Sequence, residues 1–169
     1  MIVVLTGPIQ TGKTTALRRV FANGAIPGAA GVLQPVINGR RHVLSLASGE
    51  TRPLEAEPGD EVVRVGRFAF SAATFAWARA RVDSADSAGS WLVVDEVGPL
   101  ELRGEGLADA VGPAIARARQ PGSPRLLLVV RETLLDRAVA DLGLSDADVV
   151  RLGDRLPGGP RLHPAQTAL

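Results

Sequence analysis

Cysteine and tyrosine are absent from the 169-residue chain, and methionine, histidine and lysine are nearly so. Without cysteine there is no disulfide, no thiolate metal site and no cysteine nucleophile. With only His42 and His163 available, far apart in sequence, a histidine-rich metal centre is not expected. No run of about 18 apolar residues occurs, the length a helix needs to cross a bilayer. Net charge is close to zero, +1 at pH 7, which argues against broad attraction to nucleic acid or an anionic membrane. What remains, 46% hydrophobic and 22% charged, suits a globular protein with a sizeable core.

The scarcity of lysine is the most informative of these. The only lysine, Lys13, stands among 18 arginines, within Gly7-Pro8-Ile9-Gln10-Thr11-Gly12-Lys13-Thr14 and directly after the apolar run Ile2-Val3-Val4-Leu5. A bias toward arginine accounts for the missing lysines elsewhere. It does not account for the motif, because a planar guanidinium cannot replace a compact ammonium among phosphate oxygens without changing the geometry. The pattern G-x-x-x-x-G-K-[ST], between a buried strand and a helix start, is the phosphate-binding loop. Gly7 and Gly12 let the backbone curl round an anion, and Pro8, Ile9, Gln10 and Thr11 complete the loop. Lys13 is expected to bridge β- and γ-phosphate oxygens, the Thr14 hydroxyl to ligate Mg2+, and Thr15 to touch the α-phosphate. Gln10 stands where many such loops have a third glycine.

A second constellation is Trp91-Leu92-Val93-Val94-Asp95-Glu96. A hydrophobic strand ending in an acid, downstream of a phosphate loop, is the Walker B pattern, whose aspartate helps hold magnesium. Asp95 takes that role. Glu96 is placed to orient or deprotonate an attacking water, the alternative being a solvated or magnesium-shell carboxylate. Arg131 follows an apolar run and points to the same sheet edge, so it is the first choice to meet charge on the γ-phosphate, with Arg103 second. Phe68, Phe70, Phe75 and Trp77 hold four of the six aromatics, either as core or as a stacking surface.

Patterning divides the chain into alternating elements. Strands are expected at 2–6, 91–95, 125–130 and 149–152, and helices at 13–22, 72–82, 105–119 and 133–142. Asn23-Gly24 gives a helix stop and Ser71 an N-cap. Residues 28–67, around the hairpin signal Asn38-Gly39, read as an antiparallel β-meander inserted after the first βα unit. The expected fold class is therefore α/β, three layers with a mostly parallel central sheet, as one domain over 1–156 with an irregular tail over 157–169. Loops 7–14 and 95–101 fall at strand carboxyl ends, where such sheets bind ligands. The amino-terminal apolar run is short and lacks a basic segment before it, so a cytoplasmic protein is expected.

Four segments together resemble the cancer-related nucleoside-triphosphatase family of small P-loop enzymes: Gly7 to Thr15, Gly31 through Asn38-Gly39 to Glu50, Val65-Gly66-Arg67-Phe68, and Val94-Asp95-Glu96-Val97-Gly98-Pro99-Leu100-Glu101-Leu102. The resemblance implies a RecA-like P-loop fold and Mg2+-dependent hydrolysis of several nucleoside triphosphates with loose base preference. It also adds Glu101 to the site, which spacing alone does not select. Departures from the family are Gln10 and the pair Arg131-Glu132, where relatives often have a histidine nearby. Two rivals stay open beside hydrolysis. One is a small-molecule kinase, with the 28–67 meander and the aromatic cluster as its acceptor pocket. The other is a nucleotide-sensing adaptor docking on a protein partner that the sequence leaves unknown.

Overall fold

Ile2 to Leu5 offer no polar face to water, and they form a strand buried on both sides, β1 (Ile2–Leu5). The computed structural model describes residues 1–22, 26–85 and 90–164. After β1 come α1 (Lys13–Leu17), β2 (Ala30–Leu33), β3 (Val36–Ile37), β4 (Arg40–Ser45) and β5 (Thr51–Pro53). The hairpin of β6 (Val62–Val65) and β7 (Phe68–Ser71) leads into α2 (Ala72–Asp83). Then β8 (Trp91–Val97), α3 (Ala108–Ala118), β9 (Arg125–Val130), α4 (Leu135–Asp141) and β10 (Asp148–Val150) complete the order.

The sheet runs β10-β1-β9-β8-β2-β4-β3, with β5 on β4. Strands β10, β1, β9, β8 and β2 are mutually parallel, and β4 joins β2 antiparallel. Side chains alternate between faces with period two. Ile2, Val4, Leu92, Val94, Leu126 and Leu128 pack with residues of α2 and α3 in one core. Val3, Leu5, Trp91, Val93, Leu127 and Val129 pack with Leu17, Val20 and Phe21 in the other. The result is the expected α/β arrangement of three layers around a mostly parallel sheet. Strand β9 separates β1 from β8, so the chain leaving β9 emerges between the phosphate-loop candidate and the Asp95-Glu96 pair.

Several expectations need revision. The helix expected over 13–22 is α-helical only to Leu17 and continues as a π-helical turn over Arg18–Ala22. Its expected stop at Asn23-Gly24 lies outside the described residues. The 28–67 segment holds the expected antiparallel strands, β4 pairing with β2, β3 and β5, yet it is not one self-contained insertion. Its first strand, β2, enters the parallel sheet beside β8, while β6 pairs with β7 in a separate hairpin that runs past residue 67. Gly31 is the physical reason for the first change. It pairs with Val93 at φ 97°, and a Cβ there would collide with the Val93 carbonyl oxygen and stand 2.8 Å from its amide nitrogen. Only a residue without a side chain lets β2 lie this close.

Ser71 caps α2 as expected, its hydroxyl accepting from the Thr74 amide at 3.4 Å. Of the expected tail, residues 157–164 are described. The Gly153 amide donates to the Leu162 carbonyl at 2.7 Å and the Leu162 amide to the Asp154 carbonyl at 2.8 Å, and Leu162 is buried in the α1-side core beside Leu156, just ahead of the segment. Among the described residues no helix is long and apolar enough to cross a membrane.

Because the obstacle at Gly31 is backbone, it cannot swing aside. Gly31→Ala is expected to lower the free energy of unfolding by about 3 kcal/mol or more. Chemical denaturation reads this, and a loss under about 1 kcal/mol would show that β2 can move off β8.

Candidate active site

The segment after β1 turns back on itself through three left-handed or near-left-handed residues: Gly7 at φ 146°, Gln10 at 61° and Gly12 at 87°. Gln10 thus adopts the glycine-favouring conformation at the position where a glycine is commoner, which costs about 1 kcal/mol. Lys13 folds over this loop, its Nζ donating to the carbonyls of Gly7 at 3.0 Å and Pro8 at 2.6 Å. The Gly7 carbonyl also accepts from the Glu132 amide at 3.3 Å, which ties the loop to the end of β9. Burial draws the Lys13 ammonium below its ordinary pKa, while the charges of Glu96 and Asp95 oppose the change.

Asp95 is fully buried behind Thr14. Its Oδ2 accepts from the Thr14 hydroxyl at 2.8 Å and from the Gln34 amide at 3.0 Å, while Oδ1 has no hydrogen-bond partner. Gln34 returns a second bond, Nε2 to the Asp95 carbonyl at 3.1 Å, locking the end of β2 to β8. Burial raises the Asp95 carboxyl from 3.8 to about 6, helped by the charge of Glu96 and opposed by the bonds from Gln34 and Thr14.

Strand β8 does not stop at Asp95 but bulges. The register with β9 shifts between Val94 and Val97, and Glu96 sits at φ 63°. Strict alternation would send Glu96 to the face opposite Asp95. The bulge re-aims it toward Arg131, whose Nη2 and Nε lie 3.1 and 3.3 Å from Oε2. Both side chains are half-buried and line a cleft of about 370 Å³ together with Ile9, Gln10, Thr11, Gly12, Lys13, Thr14 and Thr15. Nine of the expected residues, Ile9 to Thr15 with Glu96 and Arg131, therefore meet at one cleft, with Asp95 beneath it, while Gly7 and Pro8 do not line it. Ile9 is exposed at its rim.

Arg103 is not part of this group. It is exposed and pairs with Glu105 at 3.3 Å. Glu101 is buried, and both its oxygens are engaged by backbone, Oε2 by the Gly98 amide at 2.9 Å and Oε1 by the Leu107 amide at 3.1 Å. Burial raises its pKa, and its contacts clamp the loop between β8 and α3. Sequence reasoning missed Gln34 and Arg41, which also line the cleft. Gln34 had a signal available, since it directly follows the buried run Gly31-Val32-Leu33 and so stands at a strand carboxyl end. Arg41 had none, because β4 had to be placed against β2 first.

The fold and this clustering define an α/β enzyme of the P-loop nucleoside-triphosphatase class. A family model described as NTPase matches residues 2–152, and the chain belongs to that nucleoside-triphosphatase family, whose members hydrolyse nucleoside triphosphates. It is 34% identical over 157 residues to the nucleoside-triphosphatase THEP1 of Methanopyrus kandleri, across 88% of this chain and 83% of that protein. The fold also matches the solution structure of a human cancer-related nucleoside triphosphatase, with TM-score 0.62 and 25% identity over 89% of this chain and 87% of that one. The crystal structure of THEP1 from the hyperthermophile Aquifex aeolicus aligns with TM-score 0.68 over 90% of each chain, and at 17% identity speaks for the fold alone.

The raised Asp95 pKa makes stability depend on pH with a definite sign. The folded state holds the proton more tightly than the unfolded chain, so stability from this group is present below 3.8 and is lost as pH rises to about 6. Ligand-free Asp95→Asn should therefore be more stable than the parent at pH 8, by on the order of 1–3 kcal/mol, with the gap shrinking toward pH 4. Denaturant titrations at both pH values check this. A gap that stays constant would mean that the buried carboxylate carries no such cost.

Proposed function

We propose that the chain hydrolyses nucleoside triphosphates in a Mg2+-dependent reaction, in the cytoplasm, with little preference for the base. The observation that carries this reading is the pairing of the Thr14 hydroxyl with Asp95, 2.8 Å apart, beside a second carboxylate oxygen with no partner. A hydroxyl and a carboxylate are the hard oxygen donors that magnesium takes when substrate phosphates and water supply the rest. Among the described residues no cluster of three or more acidic, histidine or cysteine side chains could hold an ion unaided, which suits an ion that arrives with its nucleotide. Bound there, magnesium would neutralise charge on the β- and γ-phosphates.

The chain's own groups do the rest. Loop amides and the start of α1 face the phosphates, and Lys13 exchanges its carbonyl partners for phosphate oxygens. Glu96 aims a water at the γ-phosphorus and accepts its proton as the new P–O bond forms and the bond to the β,γ-bridging oxygen breaks. Arg131 contacts Glu96 through Nε and Nη2 only, leaving Nη1 to meet charge on the transferred group. Ile9 and Val36, both exposed at the rim, favour loose base selection, since apolar contact does not read a base edge.

Release of phosphate from ATP, GTP, CTP and UTP with magnesium tests the reading. Comparable release from all four is expected, abolished by chelation. Glu96→Gln should still bind nucleotide but turn over roughly 100-fold or more slowly, and Lys13→Ala should lose binding. Nucleotide binding by the parent with no phosphate release would overturn hydrolysis and leave water without a role.

A further inference from the structure

The Val65-Gly66-Arg67-Phe68 turn, Phe70 and Phe75 do not line the nucleotide cleft. They line a second cavity of about 230 Å³, which adjoins the nucleotide cleft and shares Gln34, Arg41, Glu96 and Arg131 with it. Leu54, Val65, Leu100 and three phenylalanines form the apolar part of its lining, and Gln34, Arg41, Arg67, Glu96, Glu101 and Arg131 the polar part. Phe68 and Phe70 stack nearly parallel, their centroids 6.0 Å apart, and Phe75 stands edge-on to Phe70 at 6.1 Å. Trp77, the fourth aromatic of the cluster, is not among the lining residues and carries the Arg52 guanidinium at 4.6 Å. A folding core alone explains Phe70 and Phe75, which are buried. It does not explain Phe68, which is 37% exposed and forms a wall.

Both charged groups that lie against the Phe68 ring are cations. The guanidiniums of Arg41 and Arg67 lie 5.5 and 5.2 Å from the Phe68 ring centre. Among the described residues neither has a carboxylate within ion-pair distance. Glu55 accepts from the Arg41 backbone amide at 3.1 Å and pairs with Arg40 at 3.7 Å. The two carboxylates lining the cavity are committed elsewhere, Glu96 to Arg131 and Glu101 to backbone amides. Two free cations on an aromatic ring above an apolar cavity suit an anion with an apolar ring body. The volume also fits, since a cavity of about 150 Å³ holds benzene.

We propose that this cavity is a second ligand site, distinct from the nucleotide cleft, that takes a small planar aromatic anion. Its ring lies against Phe68 and Phe70, and its carboxylate or phosphate sits between Arg41 and Arg67. The far end of such a ligand meets the seam where Glu96 and Arg131 face the nucleotide. The site stands on cavity shape and charge, and its occupancy does not require that the chain hydrolyse nucleotides.

The test uses 2-naphthoate, an intrinsically fluorescent aromatic anion, titrated against the full chain without nucleotide. Saturable binding is expected. It should weaken at least tenfold for the neutral methyl ester, for the aliphatic anion octanoate, and in Arg67→Glu or Phe68→Ala, neither of which lines the nucleotide cleft. Lys13→Ala should bind the probe like the parent, which separates this site from the phosphate loop and from the fate of the hydrolysis reading. No binding of 2-naphthoate at millimolar concentration, equal binding of the ester or of octanoate, unchanged affinity in Arg67→Glu, or loss in Lys13→Ala would each overturn the proposal.

Discussion

A carboxylate with no water around it must be held by donors, and Asp95 is held by two that come from different layers of the molecule. One is the hydroxyl of Thr14 at the start of α1. The other is the amide of Gln34 at the end of β2. This one side chain therefore joins three elements that are distant in sequence and sets the position of the phosphate loop relative to β8. The arrangement costs stability, as the raised pKa of Asp95 shows, and it leaves a hard oxygen atom oriented but unspent. Buried carboxylates with shifted pKa values cluster at functional sites, in keeping with the proposed role of Asp95.

The remaining geometry follows from the sheet around that contact. Strand β9 lies between β1 and β8, so Arg131 leaves it with the phosphate loop on one side and Glu96 on the other. Alternation alone would hide Glu96, and the bulge that exposes it costs a left-handed φ at a residue with a full side chain. Gln10 carries the same kind of strain in the loop. Of the three non-glycine residues at positive φ, Gln10 and Glu96 line the proposed nucleotide cleft, and Asn38 sits in the turn between β3 and β4.

Much of this was legible in the sequence. The runs Ile2–Leu5, Trp91–Val94 and Leu126–Val130 contain no polar residue, and the G-x-x-x-x-G-K-[ST] spacing fixes a loop by steric need rather than by statistics. Long-range pairing was not legible. Residues 30–33 look like their antiparallel neighbours, and only the collision a side chain would make with Val93 reveals why Gly31 sends β2 into the parallel sheet. Arg131 could be placed by its distance from an apolar run. Arg103 could not be set aside until its pairing with Glu105 was known. Glu101 entered by family likeness, and its bonds to Gly98 and Leu107 give it a clear local task in holding the β8–α3 loop.

The proposed reaction requires Thr14 and Asp95 to act as a unit on magnesium and nucleotide together. The most direct test is a double-mutant cycle with Thr14→Val and Asp95→Asn, reading the gain in affinity that magnesium confers on a fluorescent ATP analogue. Either single substitution is expected to remove most of that gain, and the double variant to lose little more than the worse single one. Losses that simply add, or a magnesium effect that survives both changes, would contradict it.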